Sequence, residues 1–360
     1  MCETELHQNG DVVARSFRAE SLRSFAVTTV LFTCAGQRVD IVSAFGRAGA
    51  ATIAVDVNPL APALYHADRY ELVLRVDDPG YLSELAALVA EHAVDLIVPL
   101  TDLDQLTLAG ARDDIAVPVL LSPADVVEQM GDKYLAHGAL GRLGLASPPS
   151  WLPEDLPADL RYPVAVKARE GFGSRHIYVA HDDAELEYCL AHTPVPSFVQ
   201  SWCLGEEFSI DVFCDFAGTC LNAIPRTMIE SKGGESIKGM TIKDWELIEH
   251  GRRVAEALPI WGPANIQCFR EEDGSLLVTD VNPRFGGAFP LPLAAGSRYP
   301  ELAIALASRE HPEPTVGEFR EGVVMTRFFS DLCLTEGSDG RLEPFAEEVP
   351  EPVASEPGEA

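Results

Sequence analysis

Positive charge is scarce in this sequence. Its 360 residues include 27 Lys and Arg against 56 Asp and Glu, which gives a formal net charge of −29 at pH 7. Nucleic-acid binding depends on Lys and Arg side chains that displace counterions from phosphates, so this balance argues against a nucleic-acid partner. Only five residues are lysine, and all of them lie between positions 133 and 243. This clustering favours a local need for compact positive charges, as at a polyphosphate site.

Long apolar runs and paired cysteines are also missing. Every apolar run is strand-sized, and the N-terminal tract MCETELHQNGDVV lacks the basic start and apolar centre of a signal peptide. The eight cysteines are scattered, with no CxxC pair and no Cys/His spacing of the kind that binds zinc. Such usage is typical of reduced thiols. We therefore expect a cytoplasmic protein that has no membrane partner.

The first third of the chain alternates between buried-type strands and amphipathic helices. Strand-helix-strand units of this length form parallel sheets, which predicts a doubly wound, Rossmann-like domain. The predicted elements are strands at residues 26–33, 51–55, 72–75, 95–99 and 117–121, and helices at residues 38–47, 81–92 and 103–112.

A dinucleotide site is the first function to consider for such a domain. The turn after the first strand, Cys34-Ala-Gly-Gln-Arg38, lacks the Gly-x-Gly-x-x-Gly pattern. Asp56, at the end of the second strand, serves equally well as a turn former, so we reject NAD binding. Three polar residues follow the strand at 95–99, where open sheets bind ligands, and they are either substrate contacts or a helix N-cap. They are Thr101, Asp102 and Asp104.

The middle of the chain contains capped helices and a glycine-containing turn. Three residues are predicted N-caps: Ser122, Asp132 and Asp182. The strand at 162–167 ends in Lys167 and leads into the turn REGFGSR, whose glycines let backbone N–H groups approach phosphate oxygens. The segment 230–243, ESKGGESIKGMTIK, holds three of the five lysines. It is either a solvated loop or a segment that captures phosphate or carboxylate.

The most informative stretch is GPANIQCFREEDGSLLVTDVNPRFGGAFPLPLAAGS, at residues 262–297. Two short apolar strands flank the turn EEDG, which predicts a hairpin. Asp280 and Asn282 lie on one face of the second strand, and Gln267 can face them from the first. These oxygen-bearing side chains suit Mg²⁺, which takes its remaining ligands from phosphates and water. Arg284 follows as a fixed cation beside the metal.

Several strings resemble one family. Asp-Val-Asn-Pro-Arg-Phe-Gly-Gly resembles the signature that ends the nucleotide site of ATP-grasp enzymes. The strings TCAGQRVDIV, DVNPLAPALYHAD and PLTDLDQL resemble the first domain of carbamoyl-phosphate-synthase-like ATP-grasp proteins. MGDKYLAHGALGRLGLASPP resembles the entry to the ATP-grasp domain, and FVQSWCLGEEFSIDVF resembles its nucleotide-binding crossing. The resemblance implies an α/β and α+β protein, with an ATP-grasp fold preceded by a Rossmann-like doubly wound domain.

The resemblance also implies roles for individual residues. The phosphates would be bound by Lys133, Lys167, Gly171, Gly173 and Ser174. The adenine and ribose would be bound by Gln200, Ser201, Trp202, Cys203 and Glu207, although Trp202 could equally be ordinary core. The metal ligands would be Gln267, Asp280 and Asn282, and the catalytic cations Arg226, Lys238 and Arg284. The family usually has Glu at position 280 and often at position 200, where this chain has Asp and Gln.

The implied activity is that of an ATP- and Mg²⁺-dependent ligase, with Mn²⁺ as an alternative metal. It would activate a carboxylate as an acyl phosphate and join it to an amine through a C–N bond, releasing ADP and phosphate. Small-molecule carboxylates and amines are the expected partners, and a homodimer is left open. Two alternatives also remain open: a carbamoyl-phosphate-synthase-like enzyme that phosphorylates bicarbonate or carbamate, and a non-catalytic ATP-binding regulatory protein. The absence of internal duplication argues against the former.

Domain limits follow from the same patterns. They are a flexible arm at 1–24, the Rossmann-like domain at 25–122, the ATP-grasp domain at 123–333, and an acidic disordered tail at 334–360. Within the ATP-grasp domain we expect a small lid subdomain at about 150–198 and a larger subdomain at about 199–333.

Overall fold

A computed structural model describes residues 27–171, 176–232 and 235–345. The predicted arm therefore lies outside the described residues, as do Gly173 and Ser174 of the predicted lid. In the part of the chain that is described, no helix is long and apolar enough to cross a membrane.

The first domain is a four-stranded parallel sheet. Its elements are β1 (Thr29–Thr33), α1 (Val39–Arg47), β2 (Ala51–Asp56), β3 (Arg69–Leu72), α2 (Tyr81–Glu91), β4 (Leu96–Pro99) and α3 (Gln105–Gly110). The strand order is β3-β2-β1-β4, with every pair parallel. Val30 and Phe32 pack on one face with α1, whereas Leu31 packs on the other with α2 and α3. Helices cover both faces, so the doubly wound prediction is confirmed.

Two strand predictions in this domain are wrong: one strand lies earlier in the chain, and the other segment makes only an isolated bridge. The predicted strand 72–75 is in fact β3, three residues earlier, because β3 pairs through Arg69 to Leu72 with Ile53 to Asp56. An edge strand tolerates such polar residues, so the apolar run after it was misleading. Residues 117–121 contribute only one bridge, between Val119 and Ile97. Asp56 accepts hydrogen bonds from the backbone N–H groups of Gly36 and Asn58, both at 2.8 Å, as a turn former does.

Two helices connect this domain to the rest, α4 (Ala124–Gly131) and α5 (Lys133–Arg142). Asp132 caps α5 as predicted, because its carboxylate accepts the backbone N–H groups of Tyr134 and Leu135. The predicted Ser122 cap is wrong. Its hydroxyl instead accepts the backbone N–H of Trp261 at 3.1 Å, and the N-cap position of α4 is occupied by Pro123, which makes no side-chain cap.

A small antiparallel sheet follows. Its elements are β5 (Ser150–Trp151), β6 (Val164–Ala168), β7 (Ile177–Ala180), α6 (Asp183–His192) and β8 (Ser197–Ser201), and the strand order is β5-β8-β6-β7. Asp182 caps α6 as predicted, accepting the N–H of Glu185 at 2.9 Å. Val164, Val166 and Val199 pack against Leu186 of α6, which gives this unit its own small core.

The larger part of the chain is built on a second antiparallel sheet. The remaining elements are β9 (Glu206–Cys214), β10 (Cys220–Thr227), β11 (Glu230–Lys232), β12 (Glu235–Met240), α7 (Trp245–Ala257), β13 (Gly262–Arg270), β14 (Leu276–Asn282), α8 (Pro290–Ala294), α9 (Tyr299–Ala307), β15 (Val324–Thr326), β16 (Leu334–Glu336) and β17 (Leu342–Pro344). The central strand order is β10-β9-β13-β14. One face of this sheet packs on α4, α5 and α7 through Phe208, Ile210, Val212 and their neighbours. The opposite face carries polar side chains together with Phe213 and Ile224, which are buried in a cluster with the first domain.

The predicted loop at 230–243 and the predicted disorder after residue 333 are both wrong for the described residues. β11 and β12 form a hairpin whose second strand pairs with β15, far along the chain. β16 and β17 form another hairpin, held on the first domain by the Tyr70 hydroxyl, which donates to the Leu342 carbonyl at 2.7 Å. Neither segment has a local apolar period that would predict a strand. Contacts with residues far along the chain stabilise both. Residues 346–360 lie outside the described part.

Candidate active site

The polar face of the central sheet brings the predicted metal ligands together. Side chains of directly paired residues lie on the same face of a sheet. The register therefore aligns four residues in one row across β10, β9, β13 and β14: Arg226, Ser209, Gln267 and Asp280. The next row contains Asp211, Asn265 and Asn282. Seven polar side chains thus share one face of the sheet.

Gln267, Asp280 and Asn282 form the metal-ligand trio. Gln267 pairs directly with Asp280 in the β13–β14 register, and the Asn282 amide nitrogen lies 3.2 Å from an Asp280 carboxylate oxygen. The described residues contain no group of three or more His, Cys, Asp and Glu that could hold a metal, and the trio itself offers a single carboxylate. One carboxylate with two amide oxygens fits Mg²⁺, which is held by one or two carboxylates together with phosphates and water.

Lys133 lies directly against this trio. Its ammonium nitrogen is 3.3 Å from each carboxylate oxygen of Asp280. Asp132 fixes that position twice, because it caps α5 and also forms an ion pair with Arg169. The backbone N–H of Lys133 in turn donates to the Arg169 carbonyl at 2.8 Å. The capped helix therefore places a cation between the metal-ligand trio and the turn after β6.

Lys167, on β6 of the small sheet, is the second cation of the candidate site. Its ammonium group donates to the Gln200 amide oxygen at 2.7 Å, and the Gln200 amide nitrogen donates to the Ser150 hydroxyl at 2.9 Å. Burial lowers the pKa of Lys167, while the nearby Asp280 carboxylate opposes that shift. Gln200 is thus engaged by Lys167 and Ser150, and its contact with adenine stays a prediction.

Residues 202–205 cross from the small sheet to the central sheet. β8 ends at Ser201 and β9 begins at Glu206, in different sheets. Trp202 is 41% exposed, so the alternative that it is ordinary core is wrong. Cys203 is half-buried, and burial raises the pKa of its thiol to about 12. Burial also raises the pKa of Glu207, against the pull of Lys167 and Arg226.

Arg226 is buried in the middle of the polar face. Its Nε donates to one carboxylate oxygen of Asp211 at 2.8 Å, and the Asn265 amide donates to the other at 3.0 Å. Both partners of the Arg226–Asp211 pair are only 3% exposed. A buried pair of this kind needs such extra hydrogen bonds to satisfy the carboxylate. Arg226 is therefore a fixed cation in the same row as Gln267, with β9 between their two strands.

Arg284 is held from the first domain. Its Nε and one Nη donate to the two oxygens of Asp102 at 2.8 and 3.1 Å. The same Nη lies 3.3 Å from the Asn282 amide oxygen. Arg284 thus stands beside the metal-ligand trio as predicted, and Asp102 is identified as its partner. Asp104 accepts the Tyr81 hydroxyl at 2.9 Å and makes no side-chain cap, so the N-cap alternative is wrong for Asp104.

Comparison with known proteins shows the fold. Residues 194–328 match the family "ATP-grasp in the biosynthetic pathway with Ter operon", and residues 30–120 match "PylC-like, N-terminal domain". The solved biotin carboxylase domain of a Hydrogenobacter thermophilus 2-oxoglutarate carboxylase superposes with a TM-score of 0.67 at 18% identity, covering 82% of this chain and 73% of that one. The chain has an ATP-grasp fold.

Two further relatives agree with this ATP-grasp assignment. The L-amino acid ligase of Bacillus licheniformis gives a TM-score of 0.64 at 20% identity, covering 82% of this chain and 77% of that one. The carbamoyl phosphate synthase large chain of Clostridium botulinum is 26% identical over 220 residues, which cover 56% of this chain and 20% of that protein. The chain spans about a fifth of the length of the curated relatives it matches. The predicted carbamoyl-phosphate-synthase-like resemblance is confirmed.

The candidate site contains residues that sequence reasoning missed. Ser209, Asp211 and Asn265 all lie on the polar face, and the buried Ser209 hydroxyl has no hydrogen-bond partner among the described residues. A signal was present, because Glu207, Ser209 and Asp211 alternate with the apolar residues of β9, which indicates a strand with one polar face. Its meaning depended on the register with β13.

Two other predicted site residues, Lys238 and Gly171, make no described side-chain contact with the trio. Lys238, on β12, forms an ion pair with Glu230, and both side chains are about half-exposed. Among the described contacts, none joins Lys238 to Arg226, Arg284 or the trio. Gly171 has a backbone φ of +113°, a conformation that glycine adopts without strain, and it borders the part of the predicted lid that is not described.

Proposed function

We propose that this chain is an ATP-dependent ligase that activates a carboxylate and joins it to an amine. The observation that carries the proposal is the cluster of Gln267, Asp280 and Asn282 with Lys133 on one face of an ATP-grasp sheet. One of its fold neighbours is described in complex with MgADP and bicarbonate, which supports a nucleotide and a carboxylate-like acceptor here.

Gln267, Asp280 and Asn282 would hold Mg²⁺, with Mn²⁺ as an alternative. When bound, the metal ion would neutralise charge on the polyphosphate of ATP. Lys133 lies against the trio's carboxylate and Lys167 lies near enough to be influenced by its charge, so both would supply ammonium groups for the phosphates. The exposed crossing at 202–205 would contact adenine, with Glu207 accepting from the ribose hydroxyls.

The reaction we propose has two steps. A substrate carboxylate oxygen attacks the γ-phosphorus, the bond to the β-phosphate oxygen breaks, and ADP leaves with that electron pair. The amine nitrogen then attacks the acyl carbon of the acyl phosphate, phosphate leaves, and a proton is lost from nitrogen. Such transfers need positioning and charge neutralisation more than covalent help. Arg226 and Arg284 are fixed cations on either side of the trio and suit that role.

The proposal also covers the location, substrates, domains and oligomeric state of the enzyme. We propose a cytoplasmic enzyme that acts on small-molecule carboxylates and amines, with the Rossmann-like domain at 25–122 and the ATP-grasp domain at 123–333. A homodimer is part of the proposal because the biotin carboxylase neighbour is described as a dimer.

Release of ADP from ATP, measured with a panel of carboxylic acids and amines, tests the proposal. ADP formation that requires both an acid and an amine, and that the Asp280→Ala variant lacks, is the expected result. ADP formation with bicarbonate alone would favour the carbamoyl-phosphate-synthase-like alternative, which the curated relatives support. Magnesium-dependent ATP binding by calorimetry without turnover would favour a regulatory protein. Tight ATP binding that chelation leaves unchanged, or a preference for NAD, would overturn the assignment.

A further inference from the structure

The segment that follows the metal-ligand trio, Pro283 to Gly286, is hydrogen-bonded by side chains of the first domain. The Arg38 guanidinium donates to the carbonyls of Phe285 and Gly286 at 3.1 and 2.9 Å. The Gln105 amide donates to the Pro283 carbonyl at 3.3 Å. Side chains of the first domain, from Arg38 just before α1 and Gln105 at the start of α3, therefore bind three of the four carbonyls in Pro283 to Gly286.

Asp102, also in the first domain, binds the side chain of Arg284 in the same segment. The two form a parallel pair of charge-assisted hydrogen bonds, at 2.8 and 3.1 Å, which fixes the plane of the guanidinium group as well as its position. In that orientation one Nη lies 3.3 Å from the Asn282 amide oxygen. The opposite end of the same amide faces Asp280, which in turn faces Lys133. A continuous chain of polar contacts thus runs from the first domain to the metal ligands.

We infer that Asp102 is a positioning residue for the metal site, acting through Arg284. It orients the guanidinium group, which fixes the Asn282 amide beside Asp280. The inference rests on the proposed function, since it takes Asn282 as a metal ligand. Residues that orient metal ligands typically change metal affinity or activity by about 10- to 100-fold when altered. The first domain would accordingly help to set the affinity of the site for its metal ion, in addition to stabilising the fold around the site.

The test uses the full chain and the isosteric variant Asp102→Asn. Asn keeps one acceptor for Arg284 but turns an amide N–H toward the second guanidinium nitrogen, so the parallel pair is lost. Mn²⁺ affinity, measured by EPR in the presence of a non-hydrolysable ATP analogue, is expected to fall by about tenfold or more. The matched control is Asp77→Asn, because Asp77 forms the same kind of pair with Arg75 in the same domain. It should leave Mn²⁺ affinity unchanged.

A double variant separates positioning from long-range charge. If Asp102 acts through Arg284, Asp102→Asn should change Mn²⁺ affinity much less in an Arg284→Lys background than in the native chain. A purely electrostatic effect would persist in both backgrounds and would overturn the inference, as would unchanged Mn²⁺ affinity in Asp102→Asn. If the native chain binds no Mn²⁺ with the analogue, the proposed function itself fails. The two failures are therefore distinguishable.

Discussion

Asp280 is the only carboxylate in the metal-ligand trio. Both of its oxygens lie 3.3 Å from the Lys133 ammonium group, and one lies 3.2 Å from the Asn282 amide. The side chain is mostly buried, at 17% exposure, so water screens its charge incompletely. Its loss would remove the whole negative charge of the trio and leave Lys133 without its partner.

Replacing either strand-borne ligand should therefore abolish most turnover. We expect Asp280→Ala and Asn282→Ala each to lower kcat by at least about a hundredfold, because a metal ion contributes several kcal/mol of charge stabilisation in the transition state. Asp280→Glu, which keeps the charge, should retain most activity. Steady-state kinetics check this, with circular dichroism to confirm folding. Near-native rates in both alanine variants would place the metal site elsewhere.

Glu207 makes the stability of the folded protein depend on pH. Burial raises the pKa of this carboxyl above its ordinary value of 4.5, so the folded state holds the proton more tightly than the unfolded state. Its contribution to stability is therefore fully present below pH 4.5 and is lost as the pH rises through the raised pKa. At neutral pH the charged Glu207 destabilises the folded protein.

We accordingly expect Glu207→Gln to flatten this dependence. The variant should have a higher free energy of unfolding than the native chain at neutral pH and should lose that advantage below pH 4.5. Urea unfolding between pH 4 and 8 measures both. Nucleotide affinity should fall in the same variant, because the amide is a weaker acceptor for the ribose hydroxyls than the carboxylate. Parallel stability curves for the two proteins would contradict the prediction.

Among the elements, the crossing at 202–205 depends on a close backbone approach. A Cβ atom added at Gly205 would lie 1.9 Å from the Arg270 carbonyl oxygen at the end of β13. Gly141, inside α5, is the matched control, because a Cβ atom there meets nothing within 4 Å.

Gly205→Ala should destabilise the fold by more than about 2 kcal/mol, because the backbone of β13 would have to shift. Gly141→Ala should instead stabilise it by about 0.5 to 1 kcal/mol, since alanine loses less conformational freedom in a helix than glycine. Urea unfolding of the two variants measures the contrast. Similar effects of the two substitutions would show that the crossing can move away from β13 at little cost.

Local patterns were sufficient for some elements and misleading for others. The signals for α7 are local, because its apolar spacing lies within the helix and its cap, Asp244, directly precedes it. The Asp280 hairpin was equally local, with turn and strands adjacent in the chain. The hairpin of β11 and β12 depends on pairing with β15, about 90 residues later, which no local pattern encodes. An element was therefore predictable when its hydrophobic periodicity was strong and its pairing partner lay close in the sequence.

The same division holds for the candidate site. Asp280, Asn282 and Gln267 could be placed together because one hairpin carries them. Asp211 and Asn265 could not, because their position beside Arg226 and Asn282 depends on the register of β9 against β13. Asp102 was predicted only as a substrate contact or cap. Its pairing with Arg284, 182 residues away, follows from the packing of two domains.

At the scale of the whole molecule, one core runs through the first domain and the central sheet. Phe32 and Phe45 of the first domain share a buried cluster with Phe213 of β9 and with Phe285 and Tyr299. The small sheet has a separate core of its own. The first domain and the central sheet therefore form one base with a shared core, and the crossing at 202–205 connects the small sheet to it.

Nucleotide binding should consequently protect the crossing and spare the base. We expect Mn²⁺ with a non-hydrolysable ATP analogue to slow amide hydrogen exchange at residues 202–205, where Trp202 and Leu204 are exposed. Exchange in β1 and β2 should change little, because these buried strands already exchange only through larger openings. Mass spectrometry of peptides from the full chain measures both regions. The Asp280→Ala variant, at the same concentrations, should lose most of the added protection, and NAD should give none. Protection confined to residues 34–58 would instead support a dinucleotide site on the first domain, and the placement of adenine at the crossing would have to be withdrawn.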